Sequence, residues 1–364
     1  MPRTRVLIVD DSVVIRKLVG EGLALDPSIE VIGTASSGQT ALSRLAVSTP
    51  DVVTLDIEMP GMDGLATLKE IRRRFPKLPV IMVSTLTQRG ALMTLDCLAA
   101  GASDYVAKPT GLSSPAAGRD WVRSELAPRV LQFESKVAVP GAAPAIVRQR
   151  GPAPARTRGF EVLAIGSSTG GPTALHAVFA SLPADFPLPI VIVQHMPPIF
   201  TRLLAERLDQ VGRIRVEEAT DGAVLEPGRA WVAPGGRHMQ ITTDGPRRIC
   251  RLVDTPAEHS VRPAVDVMFR SLPAIYGPGI LALILTGMGA DGLLGCEIIK
   301  QAGGSVIVQD KATSVVWGMP GVVSAAGLAD QTLPLARIGP TIMSMLRPTA
   351  QSRPIAPRGL AVGG

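Results

Sequence analysis

Short apolar runs alternate with helical apolar spacing along this chain, first over about 110 residues and again from residue 162. Residues 6–9, 52–55 and 80–83 are short, largely apolar runs bounded by polar or turn residues. They are too short for helices and lack the alternation of a half-exposed strand, so they read as strands buried on both faces of a parallel sheet. Between them, Ile15, Leu18 and Val19, then Leu68, Ile71 and Phe75, then Leu92, Leu95 and Ala99 recur at helical spacing. The second series has strand-like runs at 162–165, 190–193, 230–232, 280–285 and 305–308, with Leu175, Val178, Phe179 and Leu182 on one helical face. Alternation of this kind predicts an α/β chain of two doubly wound domains. Residues 213–255 hold shorter runs bounded by Gly and Pro, which predict added antiparallel strands. The boundaries expected are a first domain over 1–122, a linker over 123–158, a second domain over 159–346 and a disordered tail over 347–364. An amphipathic stretch at 121–131 allows one last helix before the linker. Residues 137–160 hold four Pro, six Ala, four Arg and no acid, a linker composition.

A length of 364 residues suits two domains at ~150 residues each. With 46% hydrophobic but only 3% aromatic residues, both cores must be aliphatic, and disordered, collagen-like and disulfide-scaffold classes are excluded. Cys97, Cys250 and Cys296 stand far apart with no Cys-x-x-Cys, which favours a reducing, cytoplasmic setting and opposes a cysteine zinc site. No apolar run approaches the ~18 residues of a membrane span, and the N-terminus does not read as a signal peptide. The net charge of +6 raises nucleic-acid binding. Residues 1–110 sum to zero and 161–346 to −2, so the excess lies in 111–160 and in 347–364. A basic linker and tail is the simpler reading, and no nucleic-acid partner or membrane insertion is expected.

Polar groups gather where strands of the first domain end. Asp10 and Asp11 follow the first run, Asp56 the second, Ser84 the third, and Lys108 follows 104–107. Ligands of open parallel sheets bind at those ends. Three carboxylates at one edge repel unless a cation joins them, and hard oxygen donors suit Mg²⁺. Asp56 then becomes the candidate nucleophile toward a phosphoryl group, with Lys108 supplying positive charge and Ser84 bonding phosphoryl oxygens. Any one acid could merely cap a helix. The set at successive strand ends is not explained that way. The strings Val-Asp-Asp-Ser, Leu-Asp-Ile-Glu-Met-Pro-Gly-Met-Asp-Gly, Met-Val-Ser-Thr and Gly-Ala-Ser-Asp-Tyr-Val-Ala-Lys-Pro resemble a two-component receiver domain. That resemblance implies a flavodoxin-like five-stranded parallel sheet, Asp56 as phosphoacceptor, Asp10, Asp11 and Asp56 around Mg²⁺, and Ser84 with Tyr105 as the switch pair beside Lys108. Glu58 departs from the Asn common in receivers.

In the second domain, Gly166-Ser167-Ser168-Thr169-Gly170-Gly171-Pro172 follows a strand and opens a helix. It fits Gly-x-Ser-x-Gly, a nucleophile elbow centred on Ser168. A phosphate-binding loop is the rival, but the Gly-Lys-Ser/Thr ending is missing. Of four histidines, His195 ends the run 190–193 and shares the strand edge with Ser168. His176 lies along the helix, and His238 and His259 sit in loops. Asp291, in Thr-Gly-Met-Gly-Ala-Asp-Gly after the run 280–285, is the candidate orienting acid, with Asp266 and Asp310 as alternatives. Backbone N–H groups of Thr169 and Met288 are the candidate oxyanion donors.

Six strings carry a closer resemblance: Ile-Gly-Ser-Ser-Thr-Gly-Gly-Pro, Val-Gln-His-Met-Pro, Ala-Pro-Gly-Gly-Arg-His-Met, Arg-Pro-Ala-Val-Asp-Val-Met-Phe, Leu-Thr-Gly-Met-Gly-Ala-Asp-Gly and Ala-Thr-Ser-Val-Val-Trp-Gly-Met-Pro. Residues 160–346 resemble the catalytic domain of the chemotaxis protein-glutamate methylesterase family. The resemblance implies a mainly parallel, Rossmann-like esterase domain with Ser168 as nucleophile, His195 as base and Asp291 as its orienter, and no cofactor for the esterase. It also implies chemoreceptor helices as substrate and a histidine kinase as phosphodonor. Lys311 departs from the acid common before Ala312. Arg262 is a candidate contact for an acidic substrate. Two other readings stand beside this one: a response regulator with a non-catalytic partner- or DNA-binding half, and a small-molecule carboxylesterase. The second is opposed by the order Ser, His, Asp, since α/β-hydrolases run Ser, Asp/Glu, His.

Overall fold

A computed structural model describes residues 3–109, 114–133 and 159–346, to which every structural statement here is confined. Most of the expected linker and the whole expected tail lie outside them. The first domain is a parallel sheet of β1 (Thr4–Val9), β2 (Ile29–Ala35), β3 (Val52–Asp56), β4 (Val80–Thr85) and β5 (Asp104–Lys108), in the order β2-β1-β3-β4-β5. Strands β1, β3 and β4 are almost wholly buried, as their largely apolar runs require. Helices start where a side chain satisfies the first free N–H groups. Ser12 accepts from Ile15, Asp63 from Ala66 and Thr87 from Gly90.

The domain's last helix corrects the expected boundary at 122/123. Helix Pro115–Trp121 continues through a π-helical turn, Val122–Leu126, into Ala127–Leu131. Val122, Leu126 and Val130 fall at four-residue spacing and are buried against Val6, Ile8 and Val19. Apolar burial therefore carries the first domain past residue 122.

The second domain holds a seven-stranded sheet. It comprises β6 (Val162–Ser167), β7 (Ile190–Gln194), β8 (Arg215–Glu218), β9 (Arg229–Val232), β12 (Ile280–Ile284), β13 (Ser305–Gln309) and β14 (Gln331–Leu333). Their order is β14-β13-β12-β6-β7-β9-β8, and every pairing is parallel. The antiparallel strands expected in 213–255 are the hairpin of β10 (His238–Asp244) and β11 (Arg247–Val253); β8 instead joins the main sheet in parallel with β9. The strand order reverses at β6, so the crevice of this sheet opens above β6, β7 and β12.

The two domains pack on each other. Helix Gln88–Ala99 of the first lies against helices Gly171–Ser181 and Pro198–Val211 of the second. One apolar cluster takes in Leu95, Leu98 and Tyr105 on one side and Leu175, Phe200 and Leu204 on the other. Among the described residues no helix is long and apolar enough to cross a membrane.

Candidate active sites

At the first sheet's edge, carboxylate oxygens of Asp10, Asp11 and Asp56 lie within 4.8 Å of one another, with Asp10 and Asp56 buried and Asp11 exposed. Lys108 reaches in from β5, its Nζ 3.0 Å from Asp10 Oδ2 and 2.8 Å from Asp56 Oδ2. Burial pushes the Asp56 carboxyl up to about 6, against the pull of the Lys108 charge. Burial also works against charge on Lys108, but the Asp56 and Asp10 carboxylates outweigh it and hold its pKa above the ordinary value. A half-buried lysine between two acids offsets part of their repulsion and leaves the exposed Asp11 side open. This set of hard oxygen donors fits a small divalent cation.

Two expected switch residues are engaged elsewhere. The Ser84 hydroxyl donates to the carbonyls of Thr85 (3.2 Å) and Gly90 (3.1 Å). Gly90 lies in the first turn of helix Gln88–Ala99, the helix that packs on the second domain. Tyr105 is buried with its ring stacked on Phe200, centroids 4.7 Å apart.

In the second domain the crevice gathers the expected nucleophile, base and acid. Ser168 follows β6, and its N–H donates to the carbonyl of Thr286, two residues past β12 (3.1 Å). The chain then turns at once into the helix. Gly170 has φ +76°, a left-handed value that favours glycine, and a Cβ on Gly171 would sit 1.9 Å from Gln194 Oε1. Gln194, which the sequence reading did not single out, braces the elbow. It accepts the Ser167 hydroxyl (2.7 Å) and donates to the Ser168 carbonyl (2.9 Å). It also places the next residue, His195, whose N–H donates to the Ser167 carbonyl (3.2 Å).

His195 Nε2 lies 2.8 Å from Asp291 Oδ2, which leaves Nδ1 as the ring nitrogen for a hydroxyl proton. Asp291 is buried, and its oxygens accept N–H bonds from Val265 (2.6 Å) and Asp266 (2.8 Å). Burial alone would raise its pKa. The bond to His195, the charge there and the two N–H donors together hold the carboxyl below its ordinary range. The alternatives do not share this geometry. Asp266 pairs with His259, and Asp310 caps Thr313. His176 is exposed. His238 is buried between the Ala264 N–H and the Pro256 carbonyl.

Among the described residues, neither the Thr169 nor the Met288 N–H has an intramolecular acceptor. Thr286 fixes the first of these, its hydroxyl donating to the Thr169 carbonyl (2.9 Å). Ser168, Thr169, His195, Met288 and Asp291 line a cavity of about 620 Å³ whose other wall is the first domain, with Asp104, Tyr105 and Arg129. The Thr169 hydroxyl donates to Asp104 Oδ2 across the interface (2.9 Å), and Thr173 donates to the Leu98 carbonyl (3.0 Å). Arg207 pairs with Asp96 nearby. Arg262 also lines the cavity, its guanidinium donating to the Thr255 carbonyl (3.0 Å).

Comparison with known proteins finds relatives of both domains. A family model described as CheB methylesterase matches residues 163–342, and one described as response regulator receiver domain matches residues 6–114. The chain is 50% identical over 367 residues to a protein-glutamate methylesterase/protein-glutamine glutaminase of Nocardioides sp., covering 99% of each chain. It is 47% identical over 348 residues to one of Trichodesmium erythraeum, covering 94% of this chain and 99% of that one. The crystal structure of the Thermotoga maritima CheB methylesterase catalytic domain is 42% identical with a TM-score of 0.51, covering 52% of this chain and 100% of that one.

Proposed function

The chain belongs to the protein-glutamate methylesterase/protein-glutamine glutaminase family, and from that premise we propose how its residues divide the work. The reaction is hydrolysis of glutamate γ-methyl esters on chemoreceptor cytoplasmic helices, releasing methanol, and deamidation of receptor glutamines to glutamate. Ser168 Oγ attacks the γ-carbonyl carbon while His195 takes the hydroxyl proton. The tetrahedral oxyanion lies against the Thr169 and Met288 N–H groups. Its collapse expels methoxide, or the amide nitrogen of glutamine, which takes the proton from His195 and leaves a γ-acyl-serine. Water, deprotonated by His195, attacks the acyl carbon; the bond to Ser168 Oγ breaks, the glutamate side chain is freed and His195 returns the proton to Ser168. Asp291 stabilises the imidazolium in both halves. The observation that carries this reading is the 2.8 Å His195–Asp291 pair at the strand edge that bears Ser168.

The first domain is proposed as a phosphorylation-controlled cover. Asp56 accepts a phosphoryl group from a histidine kinase. Asp10, Asp11 and Asp56 would hold Mg²⁺, which supplies positive charge to the phosphoryl oxygens when bound. A Ser84 hydroxyl drawn to the phosphoryl group gives up its bond to the Gly90 carbonyl, at the base of the docking helix. That loosens a face held by Tyr105 on Phe200 and by Asp104 on Thr169. A docking change of ~2.8 kcal/mol shifts the open population about a hundredfold. Methanol release from methylated receptor membranes tests the assignment: Ser168→Ala is expected to abolish release while the receiver still accepts phosphate. Substantial residual turnover would mean another nucleophile.

A further inference from the structure

A second histidine–aspartate pair stands beside the first. His259 Nε2 is 2.9 Å from Asp266 Oδ2 and 3.9 Å from Asp291 Oδ1. Asp266 is fully buried, and its other oxygen accepts the Gly295 N–H at 2.6 Å. Asp266 stands in the first turn of helix Val265–Ser271, and Gly295 in the first turn of helix Leu293–Gln301. The carboxylate therefore ties those two helix starts together, and Asp291 lies between them. The backbone N–H groups of Val265 and Asp266, which hold the Asp291 oxygens, belong to the turn so fixed.

The segment bearing His259 is built with strain. His259 has φ +52° and Ser260 φ +62°, in a turn closed by reciprocal bonds between Glu258 and Val261. Turns with positive φ at both central positions ordinarily carry Asn or Gly there. Such outliers persist where the surroundings over-determine them, and they gather at functional sites. Here the Glu258 carboxylate accepts from Arg270 at 2.6 Å, pinning the turn to the same helix Val265–Ser271. The result is an imidazole on the wall of the catalytic cavity with its Nε2 on a buried acid. Burial and the neighbouring Asp291 charge raise the Asp266 pKa, so a hydrogen-bonding partner at Oδ2 helps keep two carboxylates together.

We propose that His259, acting through Asp266, is a positioning residue for the esterase: it fixes the helix turn whose N–H groups hold Asp291 in line with His195. This rests on the reading of Asp291 as the orienting acid. The role is exerted on geometry needed in the transition state, so it belongs in kcat and not in KM.

The test is steady-state methanol release by the full-length protein from methylated receptor membranes, with the unfolding midpoint of each variant. His259→Ala is expected to lower kcat by about tenfold or more with KM nearly unchanged. His259→Gln keeps an N–H donor near the Nε2 position and is expected to restore most of the rate. An unchanged kcat in folded His259→Ala overturns the proposal, as does a His259→Ala protein that fails to fold, or a Gln variant no better than Ala. Asp291→Asn is measured alongside. If it retains full activity, the orienting role of Asp291 fails first; if it is inactive while His259→Ala is normal, only the role of His259 fails.

Discussion

At Asp291, burial and hydrogen bonding oppose each other, and hydrogen bonding wins. A carboxylate with no exposed surface should resist ionisation, yet two backbone N–H donors and His195 hold it charged. In the proposed mechanism that charge stabilises the imidazolium formed on His195. Asp291→Asn is expected to lower kcat on the order of a thousandfold or more, measured by methanol release, with little change in fold. The same bonds link stability to pH. The folded pKa is depressed, so this contribution is present above the ordinary carboxylate range and is lost as pH falls through the folded value. Unfolding midpoints measured from neutral to strongly acid pH should therefore decline less steeply for Asp291→Asn than for wild type. The thiols behave oppositely. Burial pushes Cys97 and Cys250 up to about 12 and Cys296 higher still. All three are expected to resist thiol reagents in the native protein and to react only on unfolding; labelling of the folded protein would contradict their packing.

Elements were legible in the sequence to the degree that they are buried. The central strands β1, β3, β4, β6, β7 and β12 are covered on both faces, and each carries a short, largely apolar run that reads as a strand. Edge strands escape that logic. β2, β8 and β14 each carry mixed burial, and their residues look like loops. The proposed nucleophile, base and acid stand out in the sequence because parallel sheets place ligand groups at strand ends and glycines mark the elbow. Their supports do not. Gln194, Thr286 and Asp266 act through bonds between residues far apart in sequence, His259 through a bond across seven residues, and a lone Gln, Thr or loop His carries no local signal. Gly171 shows how tightly the elbow is built. Gly171→Ala puts a methyl group into the Gln194 carboxamide and is expected to destabilise the protein by about 1–3 kcal/mol, read from denaturant unfolding, with a loss of activity that exceeds the loss of folded protein.

Taken whole, the molecule places a regulatory domain over a catalytic cavity. The interface is both apolar and polar: Tyr105 stacks on Phe200, while Asp104 reaches the residue after the nucleophile. Nothing in either domain's sequence alone announces that docking, since it depends on complementary faces brought together by the fold. The charge distribution agrees with a protein substrate more than with nucleic acid, because the positive excess lies outside the two domains. Removing the Asp104 carboxylate should weaken the cover. Asp104→Ala is expected to raise unphosphorylated methanol release several-fold, about the effect of losing a 1 kcal/mol contact. A basal rate equal to wild type would separate this bond from regulation. The most direct measurement is the initial rate of methanol release by the intact protein with and without a small-molecule phosphodonor, in wild type and in Asp56→Asn. Phosphodonor should raise the wild-type rate at least about tenfold and leave Asp56→Asn flat. Equal rates in wild type with and without phosphodonor would contradict the account.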